Sequence, residues 1–596
     1  MPTRLLYSTL LLLLGSIQQS AATPTCRCFP DEPCWPSPQQ WAVFNATVNG
    51  NLIATIPIGS VCHAKNIFNT PSQQACSELL FRWTDPATHY STSSSPMSAW
   101  WANFTCSPFA PPDSPCTSLG PLVQYAVSVT SPKDVQATLH FARTHNIRLV
   151  IRSTGHDYLG KSTGAGAVAL WTHHLKSTQY EDYRSDWYTG PALRIGAGVQ
   201  GHEAMAAAYA HDSVVVTGDC QSISLAGGYT QGGGHGQLAS RFGLAADQVV
   251  EWEVVTASGE VVTASPGQNA DLFWALCGGG GGTFGVVLGA VVKLYPELRT
   301  ASATLRFSLA AEEAAAEGST GRARFWDVVR TFIVDTLPLL DIGGMAIWSV
   351  GITPGAQSLL SFALYPAILP GGDKNSLQTY LTSTLDLLED YEMDYEYDIS
   401  SFQSFHASYS HTTPWQNITE SNLGGRLVSR STVQTNPAGL ITAIQAILNQ
   451  TDGSIFAVTG ISLNVSHRKP HRALATVGES KNAVNPAWRD AALALIIGTQ
   501  FNYTDRDVNL QRHRLMTDVL IPAVDALNPG QDAAAYLNEA DWNEPEWQRV
   551  FYGSNYARLL EIKDKYDVGQ VFYARTAVGS ERWVEREDGR LCRVEE

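Results

Sequence analysis

Residues 218–236 read GDCQSISLAGGYTQGGGHG, with seven glycines, one cysteine and one histidine in nineteen positions. That many residues without a Cβ let the backbone approach a partner that side chains would hold off. An upstream segment repeats the design. IRSTGHDYLGKSTG, residues 151–164, leaves an apolar strand for a loop containing Gly155, Gly160 and Gly164. Consecutive amides in such a turn form a nest for a phosphate without a lysine. Two such loops in one region point to a long ligand with an anionic part and a flat part. A third glycine run, GGGTFG at 280–285, has the spacing of a dinucleotide fingerprint but the wrong surroundings. NADLFWAL before it reads as helix and VVLGAVVKLYP after it as strand, whereas the fingerprint needs a strand first and a helix N-terminus after. Close backbone packing and ligand contact by bare amides both remain open for it.

Around these loops the chain alternates short strands and helices. YAVSV, then SPKDVQATLHFARTH opened by Ser131 and Pro132, then IRLVIRS, predict a strand–helix–strand unit. AVALWT, ALRIGAG and VVEWEVVTASGEVVTA predict further strands, the last a hairpin turning at Ser258 and Gly259. Past Leu298 the segments lengthen. LLSFALYPAIL and SIFAVTGISLNVSH read as strands and NLQRHRLMTDVLIPAVDAL as helix. The expected organisation is a leader at 1–22, a cysteine-rich extension at 23–117, a first domain at 118–298, a second at 299–530, and a C-terminal segment at 531–596 that returns to the first. The stretch closed by Cys106 and Cys116 is rich in proline and serine and reads as a linker.

The leader MPTRLLYSTLLLLLGSIQQSAA has a basic flank at Arg4, an apolar run and small residues at Ala21 and Ala22. It has the composition and length of a secretory signal peptide and is too short to span a bilayer. The expectation is a secreted protein. Six sequons, at Asn45, Asn103, Asn417, Asn449, Asn464 and Asn502, are then glycan acceptors. Seven of the ten cysteines crowd residues 26–116, which in an oxidising compartment reads as disulfides rather than a metal site. Setting aside Cys220 and Cys277 leaves eight for pairing, an even number. A net charge of −16 argues against a nucleic acid or an anionic membrane as partner.

RSTGHDYLG, the 218–236 segment with its continuation QLASRFGLAADQVVEWEVVTASGEV, DLFWALCGGGGGTFGVV, and YLNEADW near the end together resemble the berberine-bridge-enzyme-like branch of the vanillyl-alcohol-oxidase flavoproteins. The similarity spans roughly Leu119 to Leu298 and Ala535 to Trp583. It implies an α+β fold: a two-lobed PCMH-type FAD-binding domain and a substrate domain whose antiparallel sheet is flanked by helices. It also implies FAD as cofactor, bonded covalently to His156 and, as the second attachment, to Cys220. An imidazole and a thiolate are nucleophiles suited to an electron-poor ring. Members with two links commonly read Cys-Pro-Thr-Val-Gly where this chain reads Cys-Gln-Ser-Ile-Ser. The cofactor-binding residues carried over are Arg152, Ser153, Thr154, Gly155, His156 and Asp157 in the first loop. Gly218, Cys220, Gly227, Gly228, Gly232, Gly233 and His235 follow in the second, with Val287, Tyr536 and Asn538 beyond. From the sequence, His235 either faces the flavin or packs against it, and Cys220 has a buried apolar thiol as its alternative.

The reaction implied is hydride transfer from an alcohol-bearing small molecule to flavin N5, with reoxidation by O2 to H2O2. Sugar-oxidising relatives use a tyrosine base from a Tyr-x-Asn element, and YLN places Tyr536 and Asn538 as catalytic candidates on one face of an expected strand. An ordinary tyrosine titrates near about 10, so nearby positive charge or the flavin has to favour its phenolate. The alternative for Tyr536 is a packed aromatic. Secretion and Tyr536 favour a carbohydrate substrate, while the lack of an evident glutamate base weakens oxidation or cyclisation of an alkaloid or phenol. A non-catalytic secreted binding protein is the reading from another class. Phe402, Phe405, Tyr409 and Trp415 are expected either to wall the substrate pocket or to fill a core.

Overall fold

The computed structural model describes residues 26–309, 318–353, 359–413, 415–418, 420–450, 455–466, 482–527 and 533–594. The expected leader at 1–22 lies outside the described residues. The helix Pro132–Thr144 shows how locally the chain sets its elements. Asp134 Oδ2 accepts from Ser131 N at 2.9 Å, Pro132 opens the first turn, and Val135, Thr138, Leu139 and Ala142 form the buried stripe. This helix connects the parallel strands Tyr125–Ser128 and Leu149–Arg152, which both flank Val168–Trp171. Leu52–Ala54 adds an antiparallel edge to the same sheet. Strand Leu149–Arg152 therefore delivers Arg152 and the following glycine loop at one end of a buried sheet.

A second, six-stranded antiparallel sheet has its long strand Val286–Pro296 at the centre. That strand pairs with Thr189–Gly196 on one side and Val249–Val255 on the other, while Ser213–Val215 pairs with its far end. The hairpin through Ser258 and Gly259 forms as expected, joining Val249–Val255 to Val261–Ala264. A third sheet of seven antiparallel strands runs in the order 395–402, 300–309, 359–370, 345–353, 455–462, 491–500, 421–429. Helices Thr320–Asp335 and Pro437–Leu448 share its core through Phe325, Phe332, Leu440 and Ile444, all fully buried beside Trp348 and Phe362. The chain is thus a mixed helix-and-sheet protein with largely antiparallel sheets.

The eight cysteines counted for pairing form Cys26–Cys592, Cys28–Cys34, Cys62–Cys76 and Cys106–Cys116, leaving Cys220 and Cys277 free. The proline-rich stretch before Cys116 is packed rather than extended. Phe109 lies 4.2 Å from the Tyr503 ring and 5.3 Å from Trp83, centroid to centroid. The C-terminal segment docks through a buried ammonium: Lys563 Nζ donates to Asp567 at 2.6 Å and to the carbonyls of Thr283 and Phe572 at 2.8 Å. Thr283 lies within the GGGTFG turn, so this contact fixes the end of the chain to the base of the glycine-rich region.

Candidate active site

Arg152 ends its strand fully buried, and its NH2 donates to the carbonyls of His89, Thr92 and Ser95 at 3.2, 3.3 and 2.6 Å. Its Nε and NH1 are buried without a protein partner, and burial lowers its pKa to about 9. Directly above lies Gly155 at φ +82°, where a Cβ would come within 2.5 Å of that guanidinium. A buried cation with unused donors under a glycine turn fits an anionic group such as a pyrophosphate. The neighbouring residues serve the turn itself. Ser153 Oγ donates to the Ala197 carbonyl at 3.2 Å, Thr154 is buried, and Asp157 Oδ2 accepts from the amides of Leu159 and Lys161 at 3.2 and 2.5 Å. Burial raises the Asp157 pKa, opposed by Lys161 and these amides.

The turn carries His156 toward the second glycine segment. His156 Nε2 lies 2.8 Å from Ser222 Oγ and 3.8 Å from Cys220 Sγ. Burial works to raise the Cys220 pKa, but His156 and the hydrogen bonds around the sulfur outweigh it and bring it to about 7. The lowered pKa favours the thiolate, the form that acts as nucleophile. Cys277 differs: burial pushes its pKa up to about 12, against the hydrogen bond its sulfur accepts from Trp252 Nε1 at 3.2 Å.

The remaining glycines bring backbone against backbone or against the C-terminal segment. A Cβ on Gly281 would sit 3.0 Å from Gly228 Cα, and the amides of Gly278 and Gly280 both donate to the Gln231 carbonyl. The GGGTFG turn thus packs closely, backbone to backbone, on the segment around Gly228 and Gln231. Gly227 is buried beside Ser224, Gly233 carries φ +121°, and the Gly218 carbonyl accepts from the Tyr409 hydroxyl at 2.8 Å. At Gly232 a Cβ would lie 2.4 Å from Asn538 Nδ2. That amide donates to the Tyr536 hydroxyl at 2.8 Å and to the Gly228 carbonyl at 3.0 Å. Tyr536 and Asn538 do meet, but not on a strand: residues 533–536 are irregular and Asn538 lies in a turn. The turn, closed by Glu539 N donating to Tyr536 O at 2.9 Å, folds the amide back onto the phenol.

Tyr536, His235 and Trp488 form a triangle of rings, with centroids 5.2 Å (His235–Tyr536), 5.6 Å (Trp488–Tyr536) and 5.9 Å (His235–Trp488) apart. Burial pushes the Tyr536 phenol far above its ordinary range, and the Glu539 charge adds to the shift. Sequence reasoning missed Glu539, whose Oε2 and Oε1 lie 3.0 and 3.2 Å from His235 Nε2. Burial acts to lower the His235 pKa, yet Glu539 raises it overall. Nearby Asp219 is pushed up to about 6 by burial, against the pull of His235. His235 Nδ1 and Asp219 Oδ1 are both buried without a protein partner. Val287 is buried in its strand opposite Val254. Of the aromatic residues expected to wall a pocket, Phe405 and Tyr409 are core, Phe402 packs on His411, and Trp415 is 42% exposed, donating to Asp85 Oδ1 at 3.2 Å.

Two family models match: an FAD binding domain over residues 123–265, and a berberine and berberine-like domain over residues 535–579. The chain is 43% identical over 583 residues to the FAD-linked oxidoreductase sor8 of Hypocrea jecorina, covering 97% of this chain and 95% of that protein. Its structure is similar to that of the VAO-type flavoprotein MtVAO615 of Myceliophthora thermophila, with a TM-score of 0.86 and 38% identity, over 96% of this chain and 100% of the other. It shares its fold with the glucooligosaccharide oxidase of Acremonium strictum, which has a 6-S-cysteinyl, 8α-N1-histidyl FAD. There the TM-score is 0.60 at 17% identity, over 77% of this chain and 92% of that one.

Proposed function

Given that the chain belongs to the berberine-bridge-like FAD-linked oxidoreductases of the vanillyl-alcohol-oxidase type, we propose that it is a secreted, glycosylated oxidase holding FAD covalently through His156 and Cys220 and acting on an alcohol-bearing small molecule. The observation that carries this reading is the 3.8 Å approach of the Cys220 sulfur to His156 Nε2, two nucleophiles delivered by separate glycine loops. Bound there, FAD supplies a two-electron acceptor that takes a hydride and passes the electrons to O2 as H2O2. Arg152 and the amides of the Gly155 turn would hold its pyrophosphate, and the turn around Gly228 and Gly232 would let backbone lie against it. Tyr536 and Asn538 hold the substrate hydroxyl, since the amide that binds the phenol also fixes its direction. Secretion is supported by four disulfides, and no helix among the described residues is long and apolar enough to cross a membrane.

A carbohydrate is the substrate favoured by the sequence. Glu539 gives a second reading specific support, because a glutamate, the base that oxidation of an aromatic secondary metabolite calls for, lies 3.0 Å from His235 and close enough to Tyr536 for its charge to act on the phenol. Peroxide release from the purified holoprotein, measured with glucose, cellobiose, chitobiose, benzyl alcohol and 4-hydroxybenzyl alcohol, separates the two. Peroxide with the sugars supports the first and with the benzylic alcohols the second. Flavin bleaching without peroxide makes the protein a dehydrogenase, and no bleaching with any compound removes the alcohol-oxidase reading.

A further inference from the structure

Oxidation of an alcohol to a carbonyl releases one hydrogen as a hydride and the hydroxyl hydrogen as a proton, and the proton needs an acceptor. Tyr536 is poorly placed to be it. To accept a proton it has first to lose its own, inside a buried triangle of rings and beside the negative charge of Glu539. Its hydroxyl oxygen already accepts from Asn538. Glu539 has the opposite properties. It follows Asn538 directly in the same turn, keeps 21% of its side chain exposed where its partner His235 keeps 7%, and holds both oxygens within 3.2 Å of His235 Nε2. Of the ion pair it is the more exposed partner.

We propose that Glu539 accepts the substrate's hydroxyl proton, that His235 is the positioning residue that orients the carboxylate, and that Tyr536 and Asn538 hold the hydroxyl without ionising. The proposal rests on the alcohol-oxidase reading above. In the balanced step the C–H bonding pair leaves with its hydrogen as hydride to FAD, the O–H proton passes to a Glu539 oxygen, and the carbonyl forms from the O–H pair. The neutral carboxyl then returns its proton to solvent through its exposed edge. The groups packed on the pair are Asp219 and Tyr536, Tyr229, whose hydroxyl donates to the His235 carbonyl, and Tyr409 beyond Asp219. Tyr536 and Tyr409 are buried, Asp219 and Tyr229 are half-buried with the Asp219 Oδ1 atom itself buried, and Glu539 keeps 21% of its side chain exposed.

The test uses the holoprotein and whichever of the five compounds above bleaches its flavin fastest without oxygen. Glu539→Gln should slow bleaching about 100-fold or more, the usual contribution of a positioned general base, and should flatten the pH profile. Glu539→Asp should keep a large part of the rate, and Tyr536→Phe should raise KM more than it lowers kcat. A readout independent of turnover is the titration of ring-labelled histidine by NMR, with His235 assigned by the loss of its signal in His235→Asn. Its resonance should stay protonated to higher pH in the wild type than in Glu539→Gln. The proposal is overturned if Glu539→Gln bleaches within a few-fold of wild type while Tyr536→Phe abolishes bleaching, or if His235 titrates identically in both proteins. Failure of the oxidase reading looks different: no compound bleaches even the wild-type flavin, and the proposal then falls with it.

Discussion

The Cys220 sulfur and His156 Nε2 lie 3.8 Å apart, and Ser222 Oγ touches both, at 3.5 Å from the sulfur and 2.8 Å from the nitrogen. Ser222 stands where the Cys-Pro-Thr-Val-Gly pattern has threonine, so the Cys-Gln-Ser-Ile-Ser run keeps a hydroxyl at this position while Gln221, Ile223 and Ser224 depart from the pattern. That hydroxyl orients the imidazole and hydrogen-bonds the thiol. The contact supports activation of Cys220, since hydrogen bonds to a thiolate favour the charged form.

Two covalent links predict a specific pattern in digests. Acid-precipitated wild-type protein should stay yellow, and mass spectrometry should find one flavin bridging the peptides that contain His156 and Cys220. Cys220→Ala should stay yellow through His156 alone. Flavin on the His156 peptide only, in the wild type, would remove Cys220 from the attachment.

Gly232→Ala tests whether the Tyr536–Asn538 arrangement matters as geometry. The new Cβ would lie 2.4 Å from Asn538 Nδ2, so the amide must move off the phenol. A displacement of about 1 Å in a positioning group can cost 10²-fold in rate. The expected outcome is a loss of that order in kcat/KM, matching Asn538→Ala, with the flavin spectrum retained. A variant with wild-type kinetics would make the close approach irrelevant to turnover.

What the sequence made legible was local. Ser131, Pro132 and Asp134 specify their helix within a few residues, and alternation and turn residues place the hairpin at Ser258 and Gly259. The glycine loops were legible as well, because a missing Cβ carries the same meaning in any context. The Glu539–His235 pair was not, because the two residues meet across 304 positions of sequence. YLN was misread as strand because period-two spacing cannot tell a strand from a turn that folds an amide back onto a phenol. The even cysteine count was legible, but the pairing of Cys26 with Cys592 depends on how the two ends of the chain meet.

His89 predicts acid sensitivity. Burial lowers its pKa from 6.5 to about 4, while its ring nitrogens bond Ser95 Oγ at 2.9 Å and the Trp83 carbonyl at 2.7 Å. An unfolded chain takes up the proton near pH 6.5, whereas the folded one resists until about 4. The stabilisation is therefore complete above pH 6.5 and is lost as pH falls toward 4, about 3 kcal/mol in all. His173 and His513, also lowered to about 4 chiefly by burial, act in the same direction. Melting temperature should fall steeply across this window, and His89→Gln should flatten the slope. An unchanged slope would place the acid sensitivity elsewhere.

Lys563 predicts how firmly the C-terminal segment holds the site. Its ammonium and the Asp567 carboxylate are 3% and 0% exposed, and the ammonium also ties the Thr283 and Phe572 carbonyls. Asp567 in turn accepts from the amides of Val571 and Phe572 at 2.8 and 2.9 Å. Removing one member of such a pair leaves the other charged and buried, at a cost of about 3–5 kcal/mol. Lys563→Met should therefore lower the melting temperature by several degrees. Because Thr283 sits in the turn packed on Gly228, the loosened segment should also expose the flavin region, giving faster proteolysis between the glycine turn and Tyr536. Lys563→Arg should recover part of the loss, since it keeps the charge but fits the buried site poorly. A Lys563→Met protein that melts with the wild type would show that the segment is held by its disulfide to Cys26 and its apolar packing instead.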